Sequence, residues 1–253
     1  MNRVSVTELQ TWLECQLKWE YKHRERLRHI KPSQPMLTGQ AVHFGVEAGL
    51  ALGKAQAVES ALVYLRKSGQ EEKSGKQVVK ALEGIPEWVW EIPLPQSETK
   101  LEVQFEKVVV VGKPDLWYVD GDGIKVVEFK SSGSKELERL ERYERWNTQP
   151  LWYLALLKAS LNHDLPCYSQ HILLSTRGKH VVGRERFVSD EAVRRAGHQM
   201  VAISERVGVD EILPHESGSC DFCEFHEICE MRLTGGDFRS KIEQEFKSGR
   251  KGG

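Results

Sequence analysis

Asp115, Glu128 and Lys130 are the residues whose types and spacing best suit chemistry at a phosphate ester. Two carboxylates are the hard oxygen ligands that Mg²⁺ or Mn²⁺ prefers, with water and a substrate phosphate completing the coordination. An ion so held lowers the pKa of a bound water and stabilises charge at a pentavalent phosphorus. A lysine beside it orients that water or offsets charge developing on the phosphoryl oxygens. An E-x-K pair at the end of an apolar strand is more often structural when it stands alone. An aspartate on the neighbouring strand changes the balance.

The run Ile124 to Lys130 reads as a strand, so Ile124, Val126, Glu128 and Lys130 share one face and Lys125, Val127 and Phe129 the other. Pro114 and Asp115 are expected at the end of a preceding strand, where hairpin pairing brings the aspartate beside Glu128. From Lys100 the period is strand-like: Leu101, Val103 and Phe105 alternate, Val108 to Val111 is apolar, and Leu116 to Val119 is a third strand. Asp120, Gly121, Asp122 and Gly123 form a hairpin turn. Consecutive short strands predict an antiparallel meander.

Gly112-x-x-Asp115 followed by Glu128-x-Lys130 resembles the signature of the PD-(D/E)XK nuclease superfamily. It is similar more specifically to the RecB-type exonuclease branch, which includes AddB and the CRISPR-associated exonucleases. Gly39 and His43 match that branch's G-x-x-x-H motif, and Gln149 and Tyr153 its Q-x-x-x-Y motif. Cys15 with Cys220, Cys223 and Cys229 looks like the ligand set of its cluster-bearing members. These matches run in the expected order over almost the whole chain.

The resemblance implies an α/β (α+β) fold, a central mixed sheet flanked by helices, with Asp115, Glu128 and Lys130 catalytic. It implies Mg²⁺ or Mn²⁺ held by His43, Asp115, Glu128 and the backbone carbonyl of Phe129. Gln149 would bond near the lysine or the DNA backbone, and Tyr153 would contact the substrate strand. Glu102 loosely matches a further acidic residue of the branch. Pro150 departs from the usual apolar residue but is tolerated in the first turn of a helix.

For the cysteines, x2 and x5 spacing closed by a distant fourth suits a [4Fe–4S] cluster. Cys220, Cys223 and Cys229 with His226 could instead hold zinc. The cluster uses Cys15 and would fasten a C-terminal segment with little core of its own to the N-terminal helix. Cys167, in an apolar strand, reads as a small buried residue.

The function implied is a metal-dependent, single-strand DNA exonuclease of recombination, repair or phage and CRISPR-type processing. A reading from another class is a DNA-end-binding module with weak or partner-regulated activity. Either has DNA as its partner, and a helicase, recombinase or integrase is a conceivable second one.

Composition sets outer bounds. The chain has 253 residues, 40% hydrophobic and 29% charged, with a formal net charge of −1. Nothing approaches the roughly 20 apolar residues of a membrane span, and the N-terminus lacks the apolar core of a signal peptide. A cytoplasmic protein is expected. Five cysteines argue against a disulfide framework. Nucleic-acid binding needs a local basic surface, and Lys18, Lys22, Arg24, Arg26, Arg28 and Lys31 offer one against Glu20 and Glu25. No P-loop is present.

Other elements follow from periodicity and caps. Ser5 and Glu8 form a capping-box pattern opening a helix that is expected to run to about Arg26. Helices are expected over Gly39 to Leu52 and Ala55 to Arg66, a loop over 68–76, and helices over Lys135 to Arg145 and Thr148 to Leu161. Cys167 to Ser175 and Lys179 to Val188 read as strands joined at Arg177 and Gly178, and Ser189 caps a further helix. The expected organisation is an N-terminal helical region over 1–95, a nuclease core over 96–210, a cysteine segment over 211–234 and a disordered polar tail over 235–253.

Overall fold

The computed structural model describes residues 2–133, 147–161, 164–177, 179–209, 211–215, 217 and 220–249. The helix expected over 135–145, Gly178, and the tail residues Arg250 and Lys251 lie outside them.

Two sheets share the middle of the chain. Strand β1 (Asn2–Ser5) runs parallel to β5 (Val108–Gly112), which pairs antiparallel with β4 (Leu101–Phe105). The larger sheet is mixed, in the order β10 (Arg186–Val188), β8 (Cys167–Ser175), β7 (Gly123–Ser132), β6 (Leu116–Asp120), β3 (Gln96–Ser97), with β9 (Val181–Val182) on β8. β6 and β7 form the expected hairpin, in which Asp120 Oδ1 accepts the Asp122 and Gly123 N–H groups. β7 and β8 are parallel, so Glu128 stands opposite His171.

The meander is broken after Gly112. Both edges of β5 are already occupied, by β1 and β4, so β6 joins another sheet, and Pro114 lies in the crossing where no ladder donor is needed. Asp115 consequently stands at the start of β6 rather than at the end of β5.

Helices cover both faces of the larger sheet. On one face, α3 (Gln34–Leu52), α4 (Lys54–Lys67) and α5 (Glu71–Glu83) bury Val42, Val46, Ala61 and Leu82 against Leu116, Val127, Phe129 and Ile172. The short α6 (Glu87–Trp90) adds Val89 there. On the other, α1 (Val6–Glu14), α7 (Gln149–Leu161) and α8 (Asp190–Arg206) bury Leu9, Trp152, Leu156 and Met200 against Ile124, Val126 and Cys167. The two apolar sets are the alternating faces of β7 and β8.

The expected stretches differ from the structure at four places. The strand expected over Lys179 to Val188 is two short ones, β9 and β10, each paired antiparallel with β8. The first helix stops at Cys15, whose backbone is extended, and restarts as α2 (Gln16–Trp19) and a π-helical turn over Glu20–Arg24. Leu9 and Trp12 belong to the main core, whereas Leu17 and Tyr21 pack on Phe225 and Ile228. One straight helix cannot serve both. The loop expected over 68–76 is a turn only over 68–70; from Glu71 it is the first half of α5, whose polar composition conceals a buried stripe of Ser74, Gly75, Val78, Ala81 and Leu82. The tail expected to be disordered folds as α10 (Phe238–Glu245) and β11 (Phe246–Ser248), following α9 (His226–Thr234). β11 pairs with β2 (Leu27–His29), and Phe246 is buried beside Leu27 and Phe225. Phe238, Ile242 and Phe246, four apart among charged residues, are the apolar signal in this tail, and all three join that small core.

Candidate active site

Three elements bring the candidate side chains to one end of the larger sheet. Asp115 immediately precedes β6, β7 carries Glu128 and Lys130 on one face, and α3 carries His43. Two glycines make this approach possible. A Cβ on Gly39 would lie 3.1 Å from Ser131 Oγ, and one on Gly112 would lie 2.6 Å from Leu156 Cδ1 and 2.9 Å from Tyr153 Cε1. The glycines of both motifs therefore let a helix lie close on a strand: α3 against β7, and α7 against β5.

Backbone and side chain interlock at the centre. The Phe129 N–H donates to Asp115 Oδ2 at 2.8 Å, and the Asp115 N–H to Glu128 Oε1 at 3.5 Å. His43 Nδ1 lies 3.3 Å from Asp115 Oδ1. Lys130 Nζ donates to Glu128 Oε2 at 3.5 Å and to Gln149 Oε1 at 3.3 Å, and Gln149 Nε2 donates to the Tyr153 hydroxyl at 2.9 Å. Gln149 and Tyr153 are both buried.

Sequence reading missed Glu98. His43, Glu98 and Asp115 each offer a ligand atom, all within 4.8 Å of one another, the one such group found among the described residues. Glu98 stands between β3 and β4 with φ of 50°, in the left-handed region that a side chain rarely adopts. Glu102 sits elsewhere, exposed and paired to Arg3 and Lys100 at 2.8 Å. The family resemblance points to residue 102, and nothing in the sequence pattern marks 98; the strained turn brings it in.

The electrostatics are those of carboxylates gathered against repulsion. Glu128 is 1% exposed, and burial followed by the charge of Asp115 holds its carboxyl well above the ordinary range. Burial and Asp115 likewise raise Glu98. Burial would raise Asp115 too, but the hydrogen bond and charge of His43, Lys130 and the Phe129 N–H outweigh it and the net direction is down. His43 is raised: burial opposes its charge, and the hydrogen bond and charge of Asp115 win. A divalent cation would relieve this crowding, and the donors fit one: three carboxylates are hard oxygen ligands for Mg²⁺ or Mn²⁺, and an imidazole beside them suits Mn²⁺ at least as well as Mg²⁺. Burial, then Lys130 and Arg186, holds the neighbouring His171 down at about 4, so it is neutral near pH 7.

Cys15, Cys220, Cys223 and Cys229 line one cavity together with Leu17, Tyr21, Phe225 and His226. The break after α1 turns Cys15 toward the C-terminal segment. The four sulfurs do not close to the spacing found at His43, Glu98 and Asp115. Burial raises the Cys223 and Cys229 thiols, and neighbouring cysteines add to the shift. Much of the basic stretch is engaged locally: Lys18 with Glu14, Lys22 with Glu224, and Arg24 with Glu20. No helix of the described residues is long and apolar enough to cross a membrane.

A mixed sheet carrying Asp115, Glu128 and Lys130 at one end defines a nuclease core, and comparison agrees. The family model of the PD-(D/E)XK nuclease superfamily matches residues 3–230, and the chain belongs to that superfamily. Among solved structures, a presumptive exonuclease from Eubacterium rectale is similar in fold, with a TM-score of 0.58 and 16% identity over 92% of each chain. A protein designated SSO0001 aligns at a TM-score of 0.40 and 18% identity, over 90% of this chain and 85% of its own. No curated protein matches the chain.

Proposed function

We propose that this nuclease is a metal-dependent DNA exonuclease that hydrolyses phosphodiesters of single strands entering by an end. The observation that carries the reading is the convergence of His43, Glu98 and Asp115 beside Glu128 and Lys130. His43, Glu98, Asp115, Glu128 and the Phe129 carbonyl would hold Mg²⁺ or Mn²⁺. Such an ion, when bound, lowers the pKa of a water and offsets charge at phosphorus.

The chain's own groups do the rest. The Phe129 N–H keeps Asp115 turned toward His43. Lys130, held between Glu128 and Gln149, presents a cation to the non-bridging phosphate oxygens. Tyr153 acts beneath Gln149 as a buried support rather than as a strand contact. The four cysteines suit a structural [4Fe–4S] cluster: they line one cavity, and a cluster's thiolates stand farther apart than the ligands of a single ion. Exonuclease rather than endonuclease action is supported by the fold likeness to the presumptive exonuclease, as is a place in recombination, repair or phage and CRISPR-type processing by the sequence resemblance.

Labelled single-stranded DNA with Mn²⁺, in linear, 5′-blocked, 3′-blocked and circular forms, tests the reading. Linear strands should be degraded and circles spared, with Glu128→Ala inert. Equal cleavage by Glu128→Ala and wild type would overturn the catalytic assignment, and rapid nicking of circles the exonuclease one. Protein purified without oxygen should be brown and contain iron and sulfide; colourless protein with stoichiometric zinc would overturn the cluster.

A further inference from the structure

Asn147 joins three elements that the candidate site needs in register. Its Oδ1 accepts the Gln149 backbone N–H at 3.0 Å and Gln10 Nε2 of α1 at 3.3 Å, and its Nδ2 meets His171 Nε2 of β8 at 3.2 Å. Because a backbone N–H can only donate, the amide orientation is fixed: Oδ1 faces Gln149 and Nδ2 faces His171. His171 Nε2 must then accept, which puts the proton of the neutral ring on Nδ1. Gln149, two residues on, is oriented in the same way. Lys130 can only donate, so Gln149 Oε1 faces it and Gln149 Nε2 faces Tyr153.

The result is one directed chain from a buried histidine, through Asn147 and the first residue of α7, to the lysine of the site. Asn147 bonds its own backbone two residues on, an Asx turn that sets where α7 starts. Pro150 leaves the second helical position without an N–H, so this first turn has fewer donors to fix it. We propose that Asn147, anchored by His171, is a positioning residue that seats Gln149 against Lys130. The proposal rests on the nuclease reading for its kinetic effect, but not for its effect on Lys130.

The test combines kinetics with a direct view of the lysine in the full-length protein. Asn147→Ala should lower kcat on single-stranded DNA by about 10–100-fold, as lost outer-shell partners do, with KM and Mn²⁺ affinity within twofold of wild type. Asn147→Asp, which keeps the acceptor for Gln149 and which His171 can meet by carrying its proton on Nε2 instead of Nδ1, should recover most of the loss. The double variant Asn147→Ala with Gln149→Ala should be no slower than Gln149→Ala alone. In [¹³Cε]lysine spectra the Lys130 signal should move in Asn147→Ala as it does in Gln149→Ala. Multiplying rate losses, or a Lys130 signal unmoved by Asn147→Ala, would overturn the proposal. Should the alanine variant not fold, Asn147→Ser, whose one short hydroxyl does not reach the Gln149 N–H and His171 together, decides by the same spectrum. An inactive wild type would sink the nuclease reading while the lysine spectrum still tests the positioning.

Discussion

The Phe129 amide donates to Asp115 Oδ2 at 2.8 Å, so the residue between Glu128 and Lys130 itself locks the carboxylate of the adjoining strand. Asp115 Oδ1 is thereby left to His43. Strand pairing and the orientation of this carboxylate are one feature here: a slip of β7 against β6 would undo both.

Glu98 should behave as a metal ligand and Glu102 should not. Glu98→Gln is expected to weaken Mn²⁺ binding at least about tenfold by calorimetry, and Glu102→Gln to leave it within twofold. Equal effects of the two would refute the assignment of Glu98.

Stability of the metal-free protein should carry the signature of Glu128. Its carboxyl is raised by burial and Asp115, so the folded state holds a proton that the unfolded chain has released. Stability from this group is therefore full below about pH 4.5 and is lost as pH rises through the raised folded value. In EDTA at pH 8, Glu128→Gln should melt a few degrees above wild type, and the gap should close toward pH 4.5. A gap that widened on acidification would contradict the sign.

The motif glycines should differ in severity. Gly112→Ala meets Leu156 and the Tyr153 ring inside the core and is expected to cost about 1–3 kcal/mol. Gly39→Ala meets only the Ser131 hydroxyl at 3.1 Å and should be nearer neutral. Urea titrations that reversed this order would show that α3, not α7, makes the tighter approach.

The C-terminal strand should matter to the cysteine cavity. Phe246 is 5% exposed beside Leu17, Tyr21 and Phe225, residues that also line the cavity. Phe246→Ala is expected to cost roughly 3 kcal/mol and to lower iron content on anaerobic purification. Full iron occupancy in that variant would separate β11 from the proposed cluster site.

Several features were legible in the sequence because they are local. Alternation along 124–130 put Glu128 and Lys130 on one face whatever surrounds them, the Ser5 and Glu8 capping box formed within one turn, and the i, i+4 spacing set Gln149 above Tyr153. Tertiary structure alone decided the rest. That Asp115 stands just before β6 followed from β1 occupying the free edge of β5, an event over one hundred residues away in the chain. That Glu98 rather than Glu102 meets His43 depended on a strained turn that no periodicity predicts, and that α1 breaks at Cys15 depended on a second small core completed by Phe246. Local pattern fixes which face a residue takes; only the competition among distant segments for strand edges and apolar cover fixes what it faces.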